Sequence, residues 1–377
     1  MNDKIRRFLE DNQPETPCLV VDLGIIANNY RALRDNLPLA EIYYAVKANP
    51  ASEIVSMLVE LGSNFDAASN QEIDLCLEAG ADPEVISYGN TIKKERDIAK
   101  AYAKGVRLFA FDSEAELAKL VNSAPGSKVF CRLLVDNTGA EWPLSRKFGC
   151  DIEMAKDLLI KARDMGLDPH GVSFHVGSQQ TDLTQWDVAI GKTAMLFSAL
   201  NEAGIELKML NLGGGFPARY RSEISGIDAY AEAIMHAMTK HFGNRLPSLI
   251  IEPGRSMVGD SGVIQTEIVL ISKKSFAHDE ARWIYLDVGK FGGLAETMDE
   301  LIKYRITTPY DGRETGPVVL AGPTCDSADI LYDKSNYHLP CDLKVGDKIN
   351  ILSTGAYTAT YASVGFNGFP PLKSYFI

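Results

Sequence analysis

Cysteine is scarce and scattered in this chain. Its six cysteines (Cys18, Cys76, Cys131, Cys150, Cys325 and Cys341) include no CxxC pair and have no histidine at zinc spacing. Neither a disulfide framework nor a metal site is indicated, and the thiols are expected to be reduced. Long apolar runs are missing too. No stretch approaches the roughly 20 residues a membrane helix needs, and residues 1–12 are charged rather than signal-like, so a cytoplasmic location is expected. Cations are in deficit: 38 Lys and Arg against 50 Asp and Glu give a net charge of -12. Nucleic acid and anionic membranes select clustered Lys and Arg, so neither is expected as a partner and a small molecule is. The chain has no internal repeat, low-complexity tract or Pro-rich linker.

With 46% hydrophobic and 23% charged residues, the 377-residue chain is an ordinary globular sequence with material for two domains. Between about residues 42 and 252, eight β-rich runs alternate with segments of helical period: 42–47, 64–68, 85–89, 106–110, 128–135, 171–176, 207–212 and 248–252. Ile54, Leu58 and Leu61 share a face before Gly62, and Ser113 with Glu116 reads as a capping box. Eight such units predict an α/β fold with a (β/α)8 TIM barrel rather than a doubly wound open sheet. After residue 260 the runs 262–271, 283–288, 318–321, 348–352 and 356–361 predict a β-sandwich or β-barrel-like domain. The run 17–21 precedes a helix-like segment, 23–37, and can pair with that domain. The expected division is a barrel over 22–258 and a β domain from 1–21 and 259–377.

Catalytic groups of such barrels sit at the C-terminal ends of strands. Lys47 ends the first run, Asp66 lies near the end of the second, His175 nearly ends the sixth, Gly213 follows the seventh and Glu252 ends the eighth. A lysine at a strand end more often snorkels to solvent. A partly buried amine can instead attack a carbonyl and form an imine. A core built only for stability has no need for Lys, His and two carboxylates at one rim.

Gly213, Gly214 and Gly215 strip side chains from the turn after run seven, where barrels of this kind hold phosphate on backbone N–H groups; a tight turn alone needs only one glycine. Arg255 follows run eight and supplies charge. Phosphate at one end, an aldehyde for Lys47 and a ring nitrogen for Glu252 describe pyridoxal phosphate. His175 is either a hydrogen-bonded core histidine or a partner stacked on that ring, with Ser178 a candidate phosphate donor. In GPTCDSAD at 322–329, Cys325 is a candidate proton donor, and Asp326 and Asp329 are carboxylates suited to a cationic substrate. Tyr357 is either core or a further phosphate ligand.

Six motifs in one order carry a resemblance: YAVKAN at 44–49, SFHVGS at 173–178, LGGGFP at 212–217, EPGRS at 252–256, GPTCDSAD at 322–329 and GAYT at 355–358. Along nearly its whole length the chain resembles the ornithine/diaminopimelate decarboxylases, pyridoxal phosphate enzymes of the alanine-racemase fold, and among them bacterial ornithine or lysine/ornithine decarboxylases. The resemblance implies that Lys47 holds the cofactor, His175 stacks on its ring, Glu252 pairs with its nitrogen and Asp66 lies by the lysine. Ser178, Gly213, Gly214, Gly215, Arg255 and Tyr357 then hold the phosphate. It also implies a homodimer in which Cys325 and Asp326 act in the partner's site. One departure is local. Animal-type ornithine decarboxylases carry an arginine before a KFG-like segment, where Pro143 aligns here; Arg146, directly before Lys147, is given no role.

Diaminopimelate decarboxylases typically show Cys-Glu where this chain has Cys325-Asp326, so a purely cationic tail is favoured. Ornithine comes first, giving putrescine and CO2 for polyamine biosynthesis, with lysine close behind and arginine more distant. One methylene is worth only about 1–3 kcal/mol of discrimination. Asp326 leads as substrate contact, supported by Asp329, with Phe291 beside them and Glu296 or Asp299 as second anchors. Three rivals are an alanine racemase, a Schiff-base aldolase and a non-catalytic decarboxylase homologue acting as a protein-binding regulator. The last could drop Lys47 or Cys325; this chain keeps both.

Overall fold

The computed structural model describes residues 1–377 except 143–145, 276, 278 and 279, so Pro143 lies outside the described residues. The chain divides into two compact units, one made of Ala27–Pro217 and Ile224–Ser256, the other of Met1–Ile26, Ala218–Glu223 and Met257–Ile377.

The first unit is a closed barrel of eight parallel strands: β1 (Ala40–Ala45), β2 (Asn64–Ala67), β3 (Ile86–Tyr88), β4 (Leu108–Phe111), β5 (Lys128–Arg132), β6 (Asp168–Ser173), β7 (Met209–Asn211) and β8 (Ser248–Ile251). Its interior is filled by side chains. Tyr43, Leu108, Ala110, Phe130, Met209 and Ile250 form one buried cluster drawn from five of the strands. Helices follow the strands, as in Ser52–Glu60 after β1 and Asn70–Glu78 after β2. Gly62 ends the first of these at φ 82°, where a side chain would be strained. Ser113 caps the helix Glu114–Ser123, its Oγ accepting from the Glu116 N–H at 3.3 Å. The reciprocal half of the expected capping box is replaced, because the Glu116 carboxylate pairs with Lys93 and Lys119.

Seven of the eight strands end before their apolar runs do. Lys47 falls in a 3-10 turn, Val46–Ala48, and His175 and Glu252 lie just past β6 and β8. The chain leaves the sheet where polar side chains must reach the rim, and that is a change the apolar pattern does not mark.

The second unit holds a mixed sheet of eight strands. Cys18–Val21 pairs antiparallel with Gly262–Ser272 and parallel with Lys373–Phe376. Arg282–Leu286, Ile306–Thr307, Thr315–Ala321, Ile330–Pro340 and Lys348–Leu352 complete it. Ala218–Glu223 groups here, tied by the Arg221 N–H to the Lys303 carbonyl at 2.9 Å. The expected strand over 356–361 is instead a series of bends and turns. Tyr357 sits at φ 53°, and Gly355 packs so tightly that a Cβ would lie 1.9 Å from the Val258 carbonyl oxygen. Among the described residues, no helix is long and apolar enough to cross a membrane.

Candidate active site

The C-terminal rim of the barrel gathers the strand-end residues. Lys47 Nζ lies 4.0 Å from Asp66 Oδ2, with the lysine side chain half-exposed and Asp66 buried. Burial, reinforced by Glu252 and Glu72, raises the Asp66 carboxyl to about 8 against the opposing pull of Lys47 and Arg132. Among the described residues, its Oδ1 is buried without a hydrogen-bond partner. Gly89 makes that packing possible: a Cβ there would fall 1.9 Å from Oδ1. Glu72, whose Oε2 accepts from the Ala68 N–H at 2.6 Å, is also raised, chiefly by burial.

His175 Nδ1 accepts the Gly177 N–H at 3.0 Å, which assigns the proton of the neutral ring to Nε2. Burial, with the Arg132 and Lys47 cations nearby, pulls its pKa well below the ordinary value, so the imidazole is neutral near pH 7. Glu252 Oε1 accepts from Asn211 Nδ2 at 2.5 Å, and Asn211 Oδ1 accepts the Gly213 N–H at 2.8 Å. Sequence reasoning missed this amide bridge from acid to glycine loop, although Asn211 closes β7. It also corrects one expectation: the Gly213 N–H is engaged by Asn211, leaving Gly214 and Gly215 as the loop's other N–H groups. All three positions exclude a side chain. Gly213 and Gly215 have φ of 67° and 102°, and a Cβ on Gly214 would sit 2.7 Å from the Glu252 carbonyl oxygen and 3.3 Å from His175 Nε2. Beside them, buried Arg255 donates from Nε and Nη2 to Ser178 Oγ, both at 3.2 Å.

Arg132 was also missed. It ends β5 with its guanidinium 5.0 Å from the Phe148 ring centre, and Glu252, Asp66 and Asp112 oppose the lowering of its pKa by burial. Taking β5 on to residue 135 had put it mid-strand, where a cation draws no notice. Arg146 and His175 line a small cavity with it.

The remaining candidates lie in the second unit. Cys325 is exposed, with its N–H donating to Asn367 Oδ1 at 2.9 Å. Asp326 is exposed, and its Oδ1 caps the Ala328 N–H. Asp329 differs from the expectation that it supports a substrate. It is buried, Oδ1 accepts the Lys290 N–H at 2.8 Å, and Oδ2 accepts the Thr324 hydroxyl at 2.7 Å and its N–H at 3.2 Å. Its carboxylate holds the 322–329 turn and is not presented to a ligand. Phe291 packs on Phe366 at 4.8 Å between centroids, and both line a cavity of about 470 Å³ with Pro323 and Thr324. Glu296 is buried, Asp299 is exposed, and Tyr357 is partly buried.

A closed parallel barrel with an amine, carboxylates and a side-chain-free loop at one rim, in a chain with a mixed sheet, defines the alanine-racemase-like class of pyridoxal phosphate proteins. The family described as "Pyridoxal-dependent decarboxylase, pyridoxal binding domain" matches residues 23–259, and the chain belongs to it. A lysine/ornithine decarboxylase of Selenomonas ruminantium is 36% identical over 356 residues, covering 94% of this chain and 88% of that protein. Antizyme inhibitor 2 of Xenopus laevis is 33% identical over 366 residues, covering 93% and 78%. A solved lysine/ornithine decarboxylase from Vibrio vulnificus, complexed with cadaverine, superposes with a TM-score of 0.89 at 30% identity, covering 100% of this chain and 99% of that one.

The residues present fit the family's cofactor. Three successive positions are closed to side chains, Asp66 Oδ1 and Ser256 Oγ are buried without hydrogen-bond partners among the described residues, and an amine, a hydroxyl and a guanidinium are at hand.

Proposed function

We propose that this decarboxylase acts on a basic amino acid, L-ornithine before L-lysine, as a homodimer. When bound, pyridoxal phosphate supplies the electron sink that receives the pair left as CO2 departs. Lys47 is the amine that would hold its aldehyde and yield to the substrate's amine. Gly213, Gly214 and Gly215 leave room for the phosphate, which Ser178, Arg255 and Tyr357 would hold. Glu252, oriented by Asn211, would keep a proton on the ring nitrogen, and neutral His175 would lie against the ring without adding charge. Cys325 would deliver a proton to Cα from the partner subunit. Asp326, an exposed carboxylate beside it, would take the distal ammonium of the substrate.

The observation that carries this reading is Lys47 beside Asp66 on the same rim as His175, Glu252 and the glycine loop. The named relatives support the basic-substrate class, and an aspartate after Cys325 supports a cationic tail. The test is CO2 release from ornithine, lysine, arginine and diaminopimelate by the purified protein with pyridoxal phosphate. The largest kcat/KM is expected for ornithine, with lysine within about 1–3 kcal/mol of it. Preference for diaminopimelate would overturn the substrate assignment.

A further inference from the structure

Behind Asp66 lies a buried lysine with no part in the chemistry above. Lys93 follows β3 in the loop 89–93, and its side chain is fully buried. Its ammonium donates to the Asn90 carbonyl at 2.7 Å and the Ala110 carbonyl at 2.6 Å, and meets Glu116 Oε1 at 3.0 Å. The two carbonyls accept two of its three protons, and the Glu116 carboxylate pairs with its charge. They belong to the loop itself, the end of β4 and the helix Glu114–Ser123. Lys119 completes the network by pairing with Glu116 and donating to the Lys93 carbonyl. The Tyr88 ring lies 5.4 Å from the ammonium, and Asp112 adds attraction.

The loop held in this way forms a wall of the candidate site. Gly89 donates its N–H to the Ala67 carbonyl at 3.0 Å and abuts Asp66 Oδ1, while Asn90 Nδ2 reaches toward the Ala68 carbonyl at 3.5 Å. The strand end bearing Asp66 is thus covered by a segment whose other side is anchored by a buried ion pair. A neutral core residue would close the core as well, and replacing a buried ion pair by apolar groups is often neutral or stabilising. What the ammonium adds is direction: it holds two backbone carbonyls and one carboxylate in a fixed arrangement.

We propose that Lys93 is a positioning residue, whose buried ammonium clamps the 89–93 loop onto Asp66 and so sets the enclosure in which Asp66 faces the Lys47 amine. The proposal rests on the assignment of Lys47 and Asp66 to the site. Its test is run on the full chain without added cofactor, so that failure of the clamp and failure of the functional assignment are separable.

Hydrogen exchange of the 86–93 segment is compared in wild type and Lys93→Met, and the pH slope of unfolding free energy is measured from pH 5 to 7.5. The charged groups facing Asp66 are Lys47, Glu72, Arg132 and Glu252; those facing Lys93 are Glu116, Lys119 and Asp112. Loss of the clamp is expected to speed exchange about tenfold, the worth of one charge-assisted hydrogen bond. Water then reaches Asp66, and the downward slope that it contributes flattens. In an Asp66→Asn background the same change should alter the slope by less, only the part that Lys93 and Glu116 themselves contribute. Glu116→Gln, which keeps both carbonyl contacts, should shift both readouts in the same direction by less, and it decides the matter if Lys93→Met does not fold. Wild-type exchange and slope in the folded variants, or equal slope changes with and without Asp66, would overturn the clamp.

Discussion

Three carboxylates and two cations crowd the barrel rim, Asp66, Glu72 and Glu252 against Lys47 and Arg132. One proton more than the ordinary count relieves the imbalance, and burial directs it to Asp66. The consequence for stability has a definite sign. A carboxyl raised from about 4 to about 8 on folding binds more protons in the native state across that interval. Stability from this group is therefore present below pH 4 and is lost as pH rises toward 8. Asp66→Asn lacks the titration. Denaturant unfolding of cofactor-free protein should show wild type losing stability relative to the variant by up to about 1.4 kcal/mol per pH unit over that range. Parallel curves would show that Asp66 titrates normally. At this scale the sequence was legible where a polar residue interrupts an apolar run, as at Lys47 and Asp66. Asn211 escaped because an asparagine near a strand end is unremarkable until its partners are known, and Arg132 because the expected run continues past it to residue 135. Asp329 misled because a carboxylate in a turn reads alike whether it faces solvent or folds inward.

Among the elements, the loop after β7 is the most tightly determined. Its glycines differ in their reasons: Gly213 and Gly215 need positive φ, whereas Gly214 lacks room beside Glu252 and His175. Gly214→Ala places a Cβ 2.7 Å from the backbone carbonyl oxygen of Glu252, so the loop and the end of β8 must move apart. Titration of the variant with pyridoxal phosphate should show markedly weaker binding than wild type, and unchanged affinity would mean that the loop does not meet the cofactor. The alternation of β-rich and helical runs made all eight barrel strands readable, because buried parallel strands are apolar throughout. Their ends were less so. Strand termination here depends on hydrogen bonds from loop to strand, such as Leu133 N–H to the Ser173 carbonyl at 2.7 Å, which no local pattern records. The strands Ile330–Pro340 and Lys373–Phe376 were missed for a related reason. Both carry polar and charged residues, and only Leu331, Tyr332, Tyr337, Leu339 and Pro340 of the first are buried.

On the scale of the whole molecule, the cofactor candidates other than Tyr357 belong to the barrel unit, and Tyr357 with the proton donor and substrate candidates to the β-rich unit. The shared site of the proposed homodimer makes this division testable. Mixing Lys47→Ala with Cys325→Ala chains under conditions that exchange subunits should restore part of the activity that neither variant has alone. No recovery would place Cys325 in the site of its own chain. Lys47 is the residue on which the cofactor assignment turns. Treating the protein with pyridoxal phosphate, reducing it with borohydride and mapping the labelled peptide by mass spectrometry tests the central claim directly. A pyridoxyl group on Lys47 is the result predicted; label on another lysine, or none, would contradict it.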